Sequence, residues 1–486
     1  MTFNEIPNSL LVPGFWSEFD NSAAGGSSVM PWNVLLIGAM LSAGTAEKNV
    51  PVQIFSDEQA DELFGKGSQA ARMARAFRKN NALLPCWVAG VADASSGVAA
   101  AKTITFGGTA TAGGAISLTI AGNLLQIGVA SGKTSGKVAT AVAAAVNADD
   151  QMPVSAAVSD TSKVIFTAKN KGSAGNSILV EVNFNPGEVL PAGITASGSG
   201  YLTGGSVDPS VDGVISAISA QWFNIVVTGF VGGDNVDLES LKDEMEARWV
   251  ATRQQTGVVL FGDNSEGARG HADALNSKVL VCIPFPKSPT ANDELAACAA
   301  GVIAGSAESD PAMPLGGLAL KGVKAPKIQD RKSLAEENAM LLDGGSLLSA
   351  QSDGTVYLRR TITTYKTNSA GASDDSYRQL ETIFTLSYIR WDWNNYLAGK
   401  YPRAKLAQDG FDYGPGQIVM TPKKGRAEAL VRFQSWLEKG LVQDYDSFKA
   451  NLVVEINADN KYRLDFLLPA TLMKQLFTCA SKIQFR

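Results

Sequence analysis

Over residues 221–310 the chain alternates short, almost wholly apolar stretches with helix-length ones. "WFNIVVTGF", "GVVLFGD" and "VLVCIPF" are the apolar stretches. "DLESLKDEMEARWVATRQQ", "SEGARGHADALNS" and "TANDELAACAAGVIAGSA" lie between and after them. A strand that is apolar along its whole length needs cover on both faces, and the helices between strands supply it. The pattern therefore predicts a parallel sheet with helices on both sides. The stretch "WNVLLIGAM" at 32–40 has the same character and is expected to join that sheet.

The rest of the chain falls around this frame. Ser56 with Gln59 three residues on marks a helix start in "SDEQADELF". "GSQAARMARAFRKNN" reads as a second helix, with Ala70, Met73, Ala74 and Phe77 on one face and Arg72, Arg75 and Lys79 largely elsewhere. "LLPCWVAGV" is another buried strand. Residues 95–205 then become rich in Gly, Ala, Ser and Thr. Short alternating stretches such as "TITFGG", "AISLTIAG" and "VIFTAK" predict a small β-rich module with one helix, "SGKVATAVAAAVNAD". "TASGSGYLTGGS" closes the module and reads as a linker. If 32–40 joins the later sheet, 95–205 is an insertion. In the last third, "GTVYLRRTITTYKTN" predicts a strand and "DSYRQLETIFTLSYIRWDWNNYLAGKY" a long helix capped by Asp374 or Asp375. "GRAEALVRFQSWLEKG" predicts a further helix, and "NLVVEINADNKYRLDFLLPA" a hairpin.

Composition narrows the function. A chain of 486 residues implies two to four domains. Its net charge of −5, from 42 basic and 47 acidic residues, argues against nucleic acid or a membrane surface as partner. No apolar run approaches the roughly 20 residues of a membrane span, and no basic segment precedes an apolar one as in a signal peptide. Cys86, Cys282, Cys298 and Cys479 are scattered, which predicts buried, reduced thiols rather than a disulfide framework or zinc site. A single histidine, His271, restricts imidazole chemistry.

The candidate chemical motifs are weak. "GVASGKTSGK" has three residues between Gly128 and Gly132 where a phosphate loop needs four, so a strand-to-helix turn is expected and Lys133 carries no phosphate role. "GSGYLTGG" is off the dinucleotide spacing. Ser265, His271 and Asp263 could form a hydrolase set in an α/β domain, but no G-x-S-x-G elbow exposes the serine. "IRWDWNNY" is expected in a core or subunit interface. No catalytic, cofactor-binding or metal-binding residue is assigned. Lys423, Lys424, Arg426 and Arg432 make a basic segment suited to an acidic protein surface.

Both ends are apolar. "EIPNSLLVPGFWSEFDNSAAG" at 5–25 places Ile6, Leu10, Val12 and Phe15 in a stretch whose prolines oppose a helix. The C-terminal tail ends in alternating Ile483 and Phe485. Such arms suit strand addition to an exposed sheet edge, and the hairpin with Val453, Val454, Ile456, Leu464 and Phe466 offers one.

"IPNSLLVPGFWSEFDNS", "LFGKGSQAARMARAF", "TATAGGAISLTIAGNLLQIGVASGKT" and, above all, "DGTVYLRRTITTYKTNSAGASDDSYRQLETIFTLSYIR" resemble the contractile tail sheath proteins of Mu-like bacteriophages. The resemblance implies an α/β multidomain fold: a subtilisin-like α/β sheath domain, an inserted β-rich outer domain, and an α+β inner domain carrying extended N- and C-terminal arms. On this sequence that division is an arm at 1–25, the core at 26–94 and 206–350, the insertion at 95–205, the inner domain at 351–469 and an arm at 470–486. It also implies subunits stacked as hexameric rings around a tail tube. Contraction would drive the tube through the host envelope, with no enzyme activity or cofactor. The implied partners are other copies, the tube protein, and baseplate and tail terminator proteins. The implied location is the virion, after assembly in the host cytoplasm. A basic segment at 423–432 would face the tube. A phage-derived tailocin or injection system would use the same architecture; an α/β hydrolase or nucleotide-binding enzyme is the alternative of another class.

Overall fold

A six-stranded sheet runs in the order Leu280–Pro284, Val258–Asp263, Ile225–Thr228, Val34–Met40, Cys86–Ala92, Pro51–Ile54 in a computed structural model that describes residues 30–231, 236–411, 413–414 and 416–485. The first five strands are parallel; Pro51–Ile54 closes one edge antiparallel. All seven residues of Val34–Met40 are buried, as a central strand covered on both faces requires. Val34 and Leu36, with Val227 and Leu260, face helices Gln69–Asn80 and Asn292–Ser309. Leu35 and Ile37, with Val226 and Val259, face helices Val236–Trp249 and Ala268–Ala274. The two-residue side-chain period of a strand thus feeds two separate cores.

Helix Asp57–Phe64 is capped by Ser56, whose side chain accepts the Gln59 N–H. The next helix departs from expectation at one position. Arg72 is buried, with its guanidinium on Asp293 at 2.8 Å and on Glu294. Helix Asn292–Ser309 packs along it and brings both carboxylates, which the spacing within a single helix cannot show.

Residues 101–201 form two four-stranded antiparallel sheets. One runs Ile194–Ser197, Ala101–Gly108, Lys163–Ala168, Val154–Ser159; the other Gly200–Tyr201, Leu179–Val182, Gly114–Ile120, Asn123–Val129. Helix Ser135–Ala148 contributes Val138, Val142 and Val146 to a core of their own. The Gly-Ser stretch expected as a linker is instead two strands. Its small residues permit close main-chain approach: a Cβ at Gly198, where φ is +95°, would lie 2.4 Å from the Thr103 carbonyl. Gly132 turns the chain before helix Ser135–Ala148, with φ +80°. Two amides tie this module to the parallel sheet. Asn264 donates to the carbonyls of Ser177 and Thr290 at 2.9 and 3.0 Å, and Asn170 accepts the Gln69 N–H at 2.9 Å.

Beyond the sheet, Val356–Arg360 pairs with Leu347–Ala350. The strand is shorter than "GTVYLRRTITTYKTN" predicts, because Thr363 and Thr364 turn their hydroxyls onto the Tyr377 and Ser277 carbonyls. The long helix is Leu380–Lys400 and starts at Gln379, not at Asp374 or Asp375. Asp374 is taken up earlier, accepting from the Tyr365 hydroxyl at 2.7 Å and the Ser376 N–H at 2.9 Å. This helix joins two cores. Leu380, Ile383 and Phe384 pack in the sheet core, with Phe384 edge-on to Trp32. Trp393, with Tyr388 and Leu397, packs in a separate aromatic core built around Phe433, Trp436 and Phe448.

Candidate subunit-linking site

The aromatic core exists to seat a hairpin. Helix Pro422–Glu438 begins with Pro422 at its first turn and Thr421 capping it, the side chain accepting the Lys424 N–H. Helix Tyr445–Asn451, which the sequence reading missed, folds back so that Phe448 stacks on Phe433 at 3.9 Å. The hairpin Val453–Ile456 and Leu464–Leu467 then pairs in the register Val453↔Leu467, Val454↔Phe466, Glu455↔Asp465, Ile456↔Leu464. Val454, Leu464 and Phe466 point at Gly425, where a Cβ would stand 3.0–3.1 Å from all three. Phe466 also meets Trp393 edge-on at 5.2 Å. Val453 and Leu467 lie opposite one another on the outer face, exposed.

Among the described residues the hairpin pairs with no third strand, so both of its outer edges carry main-chain groups facing outward. The C-terminal tail passes elsewhere. Thr471–Leu472 pairs with Val442–Gln443, Gln475 donates to the Ala312 carbonyl at 3.0 Å, and the Arg360 guanidinium sits 4.4 Å over the Phe477 ring. Ile483 and Phe485 are 89% and 93% exposed. Ile6, Leu10, Val12 and Phe15 lie outside the described residues.

The basic segment does not form one free face. Lys423 and Lys424 are exposed, and Lys424 also reaches the Val419 carbonyl at 3.0 Å. Arg426 is spent on the end of helix Tyr445–Asn451, bonding the Lys449 and Leu452 carbonyls. Arg432 grips Asp392 with two nitrogens, and the same carboxylate takes the Trp436 indole N–H at 2.6 Å. Asp392 sits inside "IRWDWNNY", where sequence reading attended to the tryptophans; its position one turn before Tyr396 gave no sign of its partners on another helix. A second buried carboxylate, Glu381, accepts the Leu315 N–H at 3.0 Å while its other oxygen has no partner among the described residues. Burial pushes its carboxyl above the ordinary value.

The hydrolase set is half assembled. His271 Nδ1 is 3.1 Å from Asp263 Oδ2 at the carboxyl end of its strand. Ser265 uses its main-chain N–H on the same aspartate and shows no hydroxyl bond to His271 among the described residues. Lys133 stands in an exposed turn whose carbonyl accepts the Ala110 N–H. Cys86, Cys282 and Cys298 are buried; burial raises the Cys86 and Cys298 thiols to about 12. Cys479, expected to be buried with them, is exposed in the tail. Among the described residues no cluster could hold a metal ion, and no helix is long and apolar enough to cross a membrane.

No family model matches the chain. Over its full length it is 34% identical to the Mu-like prophage FluMu tail sheath protein of Haemophilus influenzae, a match that covers 99% of that protein. Similar solved structures include the sheath tail protein of Desulfitobacterium hafniense, at TM-score 0.47 and 13% identity over 95% of this chain and all of that one. Another is the sheath tail protein of Listeria innocua, at TM-score 0.48 and 13% identity over 91% and 95%. The protein is a structural, non-enzymatic component of a contractile phage tail, and so of the virion. It belongs to the tail sheath proteins of Mu-like phages.

Proposed function

We propose that this subunit polymerises by lending its two ends to its neighbours. Residues 1–25 and the last residues of 470–486 add as strands to the free edges of another copy's 453–467 hairpin. The observation that carries this reading is the hairpin whose edges pair with no third strand among the described residues, in a chain that leaves Ile483 and Phe485 exposed. Val454, Leu464 and Phe466 fix the hairpin to its own subunit, which leaves main-chain hydrogen bonds, with Val453 and Leu467, to hold the visitor. Heterologous contacts of this kind propagate, giving hexameric rings stacked as a helical sheath around a tail tube. Contraction, driven by the difference between two subunit packings, would push the tube through the host envelope. On this reading the sheath assembles in the host cytoplasm with tube, baseplate and tail terminator proteins as partners, and of the basic segment at 423–432 the exposed Lys423 and Lys424 face the tube, while Arg426 and Arg432 are held within the subunit. A chain ending at Phe477 keeps the strand pairing of Thr471–Leu472, the Gln475 hydrogen bond and the Arg360–Phe477 contact. It should purify as a folded monomer that forms no cylinders by electron microscopy; cylinders like those of the full chain would overturn the proposal.

A further inference from the structure

The central sheet carries opposite charges on its two sides. On one side, Lys79 ends helix Gln69–Asn80, and Lys321 and Lys324 follow in a loop beside it, all three exposed. Their backbone is fixed: Lys321 N–H donates to the Asn80 side chain at 2.8 Å, and Lys324 N–H to Thr290 Oγ1 at 2.8 Å. The Lys79 ammonium lies against Gly322, and the Lys324 stem against Gly122 of the inserted module. Nearby cations are consumed, Lys287 by Asp330, Lys327 by Glu181 and Lys332 by Glu336, whereas these three make no ion pair among the described residues. Lys79 and Lys321 line a cleft whose carboxylates are engaged, Glu294 with Arg72 and Asp149 with the Gln151 N–H.

On the other side, helix Val236–Trp249 buries Leu238, Leu241 and Met245 and turns Glu239, Asp243 and Glu246 outward. Their i, i+4, i+7 spacing makes one stripe along the helix. Among the described residues Lys242 is the one cation paired with it, touching Glu239 and lying 3.6 Å from Asp243, while the Ser277 hydroxyl donates to Glu246 at 2.9 Å. Val236 and Val250, at its two ends, are exposed, as is Leu83 just beyond the lysine-bearing helix.

We infer that the acidic stripe of helix Val236–Trp249 docks on Lys79, Lys321 and Lys324 of a second copy of this chain. The inference rests on the self-assembly proposed above and adds a contact separate from the arms. Patches on opposite sides of one sheet cannot both be satisfied in a two-fold pair. They join copies head to tail, the geometry of a ring or helix. In a chain of net charge −5, a basic patch that makes no ion pair among the described residues also sets the register of approach, since like-charged alternatives repel.

The test uses the full chain with two charge-reversed forms, K79E/K321E/K324E and E239K/D243K, each checked for an unchanged thermal melt. At low salt, either form alone should need more than about tenfold higher protein concentration to polymerise, because the docking contact between identical copies is now repulsive. Mixed one to one, they should polymerise like wild type by alternating, since the acidified patch of one form meets the basified stripe of the other and the two unaltered surfaces meet each other. The separation should fade above about 0.5 M salt, where screening shortens to a few ångströms. Reversed forms that polymerise as readily as wild type, or a mixture that stays as poor as its parts, would overturn the docking contact while leaving the arm exchange intact. A full-length wild-type chain that never polymerises would overturn both.

Discussion

At the residue scale, buried charge decides where this chain is vulnerable. Asp392 is held by the Arg432 guanidinium and the Trp436 indole within the aromatic core. Asp392→Ala leaves both donors without their acceptor and should cost about 2–3 kcal/mol, read from denaturant melts of the C-terminal aromatic signal. Glu381 behaves in the opposite sense. Its folded carboxyl titrates above the unfolded value because burial disfavours the charge. The penalty is absent below the unfolded value and grows as pH rises through the folded one. Glu381→Gln keeps the acceptor for the Leu315 N–H and removes the charge, so it should melt higher than wild type at pH 7. The gain should vanish by about pH 3, below the ordinary glutamate value, where this carboxyl is protonated in the folded and the unfolded chain alike. An equal gain at both pH values would show that the charge is not its cause.

At the scale of elements, local pattern was legible wherever it had only its own neighbours to satisfy. The all-apolar runs gave the parallel strands, and Ser56 gave a helix start, because period and capping are written within a few residues. What sequence hid was set across the fold. Arg72 is buried because another helix delivers Asp293, and Asp374 does not cap the long helix because Tyr365 claims it. The Gly-Ser stretch pairs through its main chain, so its side chains carry no alternation to read. The apolar hairpin residues were legible as a group, but not the division between Val454 and Phe466, which face Gly425, and Val453 and Leu467, which do not. Gly425 is the test of that division. Gly425→Leu has no room against Val454, Leu464 and Phe466, so it should lift the hairpin and abolish cylinders. The parallel-sheet domain should still melt as in wild type; loss of that transition as well would place the damage beyond the hairpin.

At the scale of the whole molecule, the tail can report on assembly. Three thiols are buried and Cys479 is exposed, so a thiol reagent should modify one cysteine quickly in the free subunit. If the tail enters a neighbour's sheet, that reaction should slow about tenfold or more in assembled cylinders. Equal rates in the two states would mean that this part of the tail stays outside the contact.

The 21-residue helix Leu380–Lys400 has a mechanical consequence. At 1.5 Å per residue it is a rod of about 30 Å. Phe384 wedges one end against Trp32, and Trp393 clamps the far half against Trp436 and Phe466. A beam gripped at both ends transmits torque without a pivot. In the contraction proposed above, a pull on the hairpin would therefore arrive at the parallel sheet as rotation of the entire body, and stroke length would be set by lever arm rather than by flexing inside the subunit.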